Sequence, residues 1–477
     1  MAAGPTLSHP GIPAARAISL GKRVYDVAVI GPDLGGAATA ALIARRGMRV
    51  LLAPLSLPAV SREREGWLIP SSHSLLPPLR QLSGATPAID DLGLGQDLQR
   101  QITPAGSALQ LLGDKLRLTL PHDLLRRREE LRRELPEAEA QQAEAELDSL
   151  EMLGRAWDAF LVEPPPYPAR GFFERRRLHK TLPHPPDLPA GLVGEVLGAV
   201  APFAASLVGD SAPEAAAREA AALVRTPLRL WGGKAQLAEM LRKKALEAGA
   251  DLFPEACSSL RLDRKGVAFN LGGSEVRVGT VVLACDGEEI AKLCEGGERD
   301  EQKLAAEAHL PVARKVVLAH FIVRPDGMPL ALEEAALLLG HPAGPLLLSV
   351  VPARRARGET SGEKLMTIAR VVPAGDLDGD AMLASVRSAL EPVLPFFERH
   401  IVHQSADMDP ALPHPLFAPH EDAHPVGLRP VSESHERALF ASAAVYPGFG
   451  IEGAFLAARG CFDQAVGLSG RRTVTAT

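Results

Sequence analysis

Three groups of residues in this 477-residue chain have types and spacings that could do chemistry. The first is Gly31-Pro32-Asp33-Leu34-Gly35-Gly36, set between the apolar runs 25–30 and 48–53. A strand, a glycine turn and a helix in that order gather unpaired N–H groups and the positive end of a helix dipole, which suits a pyrophosphate. The second is a histidine-rich stretch from His400 to His435. The third is Tyr446-Pro447-Gly448-Phe449-Gly450-Ile451, a glycine-rich loop before a closing apolar helix.

Letter by letter, the first group is compromised. Gly31 and Gly36 keep the first and third glycine positions, with Gly35 between them, but Asp33 takes the second. That position is where backbone should approach phosphate. A carboxylate about 4 Å from a phosphate charge repels it by roughly 4 kcal/mol at an effective dielectric near 20. Asp33 is expected to cap the following helix instead, bonding its first-turn amides. An acid for ribose hydroxyls should follow about 20 residues after the turn. That place is Ala53, followed by Pro54 and Leu55, and no carboxylate occurs before Glu63.

In the second group, His400 and His403 are spaced to share a metal if helical. His414, His420 and His424, with Asp407, Asp409, Glu421 and Asp422 nearby, lie in a proline-interrupted segment that reads as loop. The histidines are read as surface or structural, and no metal is expected. There is no Gly-x-Ser-x-Gly nucleophile motif. The basic clusters 173–180 and 352–359 read as solvated loops, although acidic partners or anionic lipid headgroups could meet them. No side chain stands out as a catalytic acid or base.

The elements that must position these residues follow from periodicity. Strand 25–30, helix 35–46 and strand 48–53 form a βαβ unit, and such units build parallel sheets. Residues 121–161 form charged helices broken at Pro136, with Leu147, Leu150, Gly154, Trp157 and Leu161 as one buried stripe. Residues 163–168 and 182–192 read as loops. A helix at 234–247 leads to a strand, an antiparallel meander and a buried strand at 281–285. A hydrophobic content of 46% supports two or three domains, and the net charge of -6 gives no reason to expect nucleic acid. Cys257, Cys285, Cys294 and Cys461 lack paired spacing and are expected to be reduced thiols in a cytoplasmic protein. Residues 1–23 have no signal-type apolar core and are expected to be a flexible extension. No stretch reaches the roughly 20 apolar residues of a membrane span, so any membrane contact is expected to be peripheral.

Three separated pieces share one larger pattern: the βαβ unit, "LWGGKAQLAEMLRKKALEAGADL", and Leu428-Arg429-Pro430 with the strand and "YPGFGIEGAFLAARG" after it. In this order they resemble the FAD-dependent phytoene desaturase-like and amine oxidase-like flavoprotein oxidoreductases, over residues 25–467. The resemblance implies an α/β Rossmann-type FAD/NAD(P)-binding fold with a second, discontinuous α+β substrate-type domain. The first would comprise 24–95, 226–300 and 425–470; the second, 96–225 and 301–424. It also places the FAD site at Gly31, Asp33, Gly35, Gly36, Ala53, Ser442, Ala443, Gly448, Gly450 and Ile451.

Against that family pattern further letters are missing. Ala59-Val60 stands for a Gly-Gly pair before an arginine, Leu68 to His73 for Asp-x-Gly-Pro, and Ser442-Ala443 for the Gly-Asp that bonds the ribityl chain. One repulsion and two lost charge-assisted hydrogen bonds sum to about 7–10 kcal/mol. Halved for non-additivity, they still weaken FAD by about a thousandfold. The expectation is a degenerate relative with FAD lost or weak, binding an apolar lipid-like ligand or a protein partner. The alternative is an active FAD-dependent oxidoreductase on an apolar isoprenoid-like or amine substrate, its flavin lined by Tyr446 to Gly450.

Overall fold

A computed structural model describes residues 24–474, apart from 54, 56–58, 105–108, 114–115, 163–168, 170, 182–190, 209–212, 254, 256, 359, 376–377, 409–413 and 419–426. The expected N-terminal extension and most of both proline-rich loops lie outside the described residues.

The apolar run Tyr25–Ile30 is a central strand because it is buried on both faces. Val50–Ala53 lies parallel to it on one side and Ser274–Leu283 on the other. Asp251–Leu252 and Ala438–Phe440 extend the parallel order outward. The long strand Ser274–Leu283 also pairs through its first half with Gly266–Leu271, which pairs with Cys257–Asp263. One strand thus joins the expected meander to a seven-stranded sheet.

The helix Leu34–Arg45 is buried at every residue except Arg45, with the helices Gly233–Glu247 and Gly450–Val474 packed against it. Burial on all sides explains its composition of glycine, alanine and few large side chains, since larger ones would hold its neighbours apart.

A second, eight-stranded sheet runs Ile401–Asp407, Val312–Val323, Thr360–Pro373, Leu346–Arg354, Ala335–Leu338, Gln110–Leu112 and Arg117–Thr119, with His414–Phe417 beside Val312–Val323. It is antiparallel except between Ala335–Leu338 and Gln110–Leu112. Helices Leu124–Glu134, Glu137–Val162, Phe172–Thr181, Leu192–Ala204 and Pro213–Arg225 form a lobe beside it. The stripe expected on the long helix is real at Leu150, Trp157 and Leu161, which are buried.

Three local expectations are corrected. Residues 173–180 are helical, because Phe172–Thr181 carries no internal breaker. Pro352 to Arg354 end a strand, where Arg354 and Arg355 stack 4.3 and 3.4 Å from the ring centres of Trp231 and Trp67. These guanidiniums are partly desolvated by indole faces and are not freely solvated. His414 begins a strand that pairs with Val312–Val323, so it is not in a loop.

Candidate functional site

In an open parallel sheet a ligand crevice forms beyond the carboxyl ends of the strands, where the connections diverge. Here that point lies between Tyr25–Ile30 and Ser274–Leu283, and the motif glycines sit against it. Gly31 has φ +116°, and a Cβ there would lie 2.2 Å from the Ala284 carbonyl oxygen. A Cβ on Gly36 would meet the Ala284 side chain at 2.3 Å, and one on Gly35 the Ala441 carbonyl oxygen at 2.4 Å. All three glycines are therefore demanded by packing, whatever fills the crevice.

Asp33 starts the helix with extended backbone angles, but its side chain makes no cap bond to the helix amides. This corrects the expected cap. The carboxylate turns across the crevice, and Oδ2 accepts a 3.0 Å hydrogen bond from the Ala443 N–H. The backbone is pinned separately, Asp33 N–H donating to the Ala284 carbonyl at 3.0 Å. Burial raises the Asp33 pKa; the Lys234 cation and the Ala443 bond oppose that, and Asp286 adds to it. Glu289 is pushed up to about 7 by its own burial and by Asp286 and Asp33. Three carboxyl groups thus share one electrostatic neighbourhood at this end of the crevice.

Ala53 is fully buried at its strand end, and its carbonyl accepts the Gly31 N–H at 3.2 Å. Its side chain has no polar atom to offer a ribose. Ser442 is buried, its hydroxyl accepting from the Ala444 N–H at 3.4 Å. The arginine expected after Ala59-Val60 is Arg62, which reaches the second sheet at Asp407, 3.5 Å away.

Gly448 lies in a short turn, Pro447–Phe449, and Gly450 begins the closing helix with φ +47°. Gly450 and Ile451 reach a cavity of about 780 Å³, open mouth included, roofed by Val316, Leu318 and Leu347 of the second sheet. The polar groups on its wall include Ser72, His73, Lys234 and His414. Ser72 accepts from Ala235 N–H at 3.0 Å and donates to the Gly232 carbonyl at 2.7 Å, capping the helix Gly233–Glu247. His73 Nδ1 accepts from Leu75 N–H, so its proton resides on Nε2, which donates to the Leu347 carbonyl at 3.2 Å. Burial pushes His73 and His414 each down to about 4, so both rings are neutral at pH 7. Burial also lowers the Lys234 pKa, which Asp33 partly offsets.

The fold brings Asp33 to Ala443 and places Gly450 and Ile451 on one cavity with Lys234. Ala53 meets the motif through its backbone, its carbonyl accepting the Gly31 N–H. Sequence reasoning missed Lys234, although a cation directly after Gly-Gly at a helix start was a readable signal. It also missed a buried network behind the cavity. Arg218 bonds Glu219, Glu452 and Asp158, and Glu452 accepts the Gly84 N–H at 2.6 Å. Its signal was a lone acid inside the apolar run "GIEGAFLAA".

No protein-family model and no curated protein matches this sequence. Solved structures do. Putrescine oxidase bound to putrescine aligns over 94% of this chain and 99% of its own, at TM-score 0.59 and 14% identity. The chain shares this oxidase's fold. An oxidoreductase from Methanosarcina mazei aligns over 92% of this chain and all of its own, at TM-score 0.60 and 11% identity. Cyclohexylamine oxidase from Brevibacterium oxydans IH-35A gives 0.56 at 14% identity, over 94% of this chain and all of its own. The expected α/β Rossmann-type architecture is therefore correct, because the fold shared with these structures spans the chain almost end to end.

Within that fold the remaining candidates are placed as follows. Among the described residues no three His, Cys, Asp or Glu groups come close enough to hold a metal. His400 ends a short 3-10 turn, while His403 lies on a strand and its Nδ1 bonds Glu65 at 3.0 Å, so the pair shares no helix face. Asp409, His420, Glu421, Asp422 and His424 lie outside the described residues. The four cysteines are buried thiols, and burial lifts Cys257 to about 12 and Cys294 to about 11. Among the described residues no helix is long and apolar enough to cross a membrane.

Proposed function

We propose that this protein is a catalytically degenerate relative of the FAD-dependent phytoene desaturase and amine oxidase-type oxidoreductases. It serves as a non-catalytic binding or assembly protein for an apolar lipid-like ligand or a protein partner. The observation that carries this reading is the Asp33–Ala443 bond. The Asp33 carboxyl fills the second glycine position and is tied to the backbone of the loop that in the resembled family carries the ribityl-binding aspartate. Glu289 and Asp286 add like charge, and Ala53 offers no ribose acceptor. These residues do not fit the phosphates of FAD, so no redox step is assigned to the site.

Clearing the crevice tests the reading. Asp33→Gly combined with Glu289→Gln is expected to bind ADP at least about tenfold more tightly than wild type, since each change removes a like charge. Isothermal titration at pH 8, where Glu289 is ionised, reads the difference. Equal ADP affinity in the two proteins contradicts the reading.

A further inference from the structure

A further apolar chamber lies away from the glycine-motif crevice, inside the helical lobe. It measures about 1070 Å³ with its open mouth, within the range of pockets that hold a small ligand. Its wall comes from four helices and one edge of the second sheet, with Leu118, Leu120, Leu131, Leu150, Val196 and Leu197 among its lining. Leu124 also lines it yet remains 43% exposed, an apolar side chain left in water beside an apolar chamber.

The charges on the wall are unequal in their partners. Asp148 pairs with Arg128 at 3.3 Å, Glu151 with Arg155 at 2.7 Å, and Asp158 with Arg218 at 2.6 Å. Arg127 and Arg225 are different: among the described residues no carboxylate lies within ion-pair distance of either. Arg127 is only 7% exposed, and its Nε donates to the Pro121 carbonyl at 2.9 Å. Burial and the charge of Arg225 disfavour its cation, while Glu151 and Asp123 favour it from beyond ion-pair distance. Two cations outside any direct ion pair among the described residues, one of them buried, face an apolar chamber.

We propose that this chamber binds a single-chain amphiphile with an anionic head, a long-chain carboxylate. Its tail lies among the leucines and its head between Arg127 and Arg225. The carboxylate supplies the directly bonded anion that neither guanidinium has among the described residues, and planar guanidinium suits bidentate carboxylate bonding. The inference gives the lipid-like ligand of the preceding reading a site and a head group. It rests on that reading only in assigning the bound chain no redox step.

Titration of the full-length protein with monomeric dodecanoate tests it. One equivalent is expected to bind, with affinity rising about fourfold per added methylene in longer carboxylates. Dodecyltrimethylammonium is expected to bind at least about tenfold more weakly. Arg225→Gln, at an exposed position, and the double variant with Arg127→Gln are expected to weaken dodecanoate at least about tenfold while leaving dodecanol unchanged. If the double variant fails to fold, the single exposed change carries the comparison. No uptake of dodecanoate overturns the proposal, as does equal affinity for the ammonium amphiphile or an unchanged affinity in Arg225→Gln. None of these outcomes bears on whether the Asp33 crevice accepts phosphate, which the ADP titration reads separately.

Discussion

Replacing Arg218 with methionine is expected to lower the unfolding free energy by about 3–5 kcal/mol at pH 7. Arg218 is almost fully buried and holds the carboxylates of Glu452, Glu219 and Asp158 together. Glu452 and Glu219 have no solvent exposure at all. Burial pushes the Glu219 pKa well up and its neighbour Glu452 pushes it further, while Arg218 opposes both. Glu452 then depends on Arg218 for countercharge, assisted by the Gly84 N–H. Without the guanidinium, an uncompensated buried charge remains, and that is the large cost. Adding Glu452→Gln to the methionine variant is expected to recover part of the loss, because it removes the stranded charge. Urea denaturation reads both. A loss below about 1 kcal/mol would mean that the network is ornamental. Because Asp158 lies on the long helix and Glu452 on the closing helix, the same network ties the helical lobe to the Rossmann-type sheet.

Gly31→Ala is expected to cost about 2–6 kcal/mol in the absence of any nucleotide. Its backbone at φ +116° is strained for a residue with a Cβ, by about 1–3 kcal/mol. That Cβ would also lie 2.2 Å from the Ala284 carbonyl oxygen, which adds an overpacking cost of about 1–3 kcal/mol. Asp33→Asn is expected to change stability by no more than about 1 kcal/mol, since an amide oxygen can still accept from Ala443 N–H. Chemical denaturation of the two variants side by side separates packing from ligand duty within one six-residue motif. A Gly31→Ala protein as stable as wild type would refute the packing account.

That contrast also explains what the sequence could reveal. Gly31, Gly35 and Gly36 announced the βαβ unit because the constraint on them is steric and local, and such constraints leave fixed letters. The buried strands and the small-residue helix were legible for the same reason. The direction of the Asp33 side chain was not, because its partner, Ala443, lies 410 residues away. Local rules offered only the helix amides, and the distant N–H won. The basic cluster at 352–359 was misread on the same ground, since Trp67 and Trp231 reach its arginines only through the fold. The helical-lobe chamber was invisible too, because it is made where four helices fail to fill the space between them.

The central claim is that the crevice keeps its packing glycines and holds the Asp33 carboxyl in place of a bound phosphate. The most direct test is the absorption spectrum of the purified full-length protein, followed by titration with FAD to about 100 μM. The account predicts a colourless protein with no flavin absorbance and no saturable binding, consistent with a loss of affinity of about a thousandfold. A yellow protein with one flavin per chain, or saturation at micromolar FAD, would contradict it.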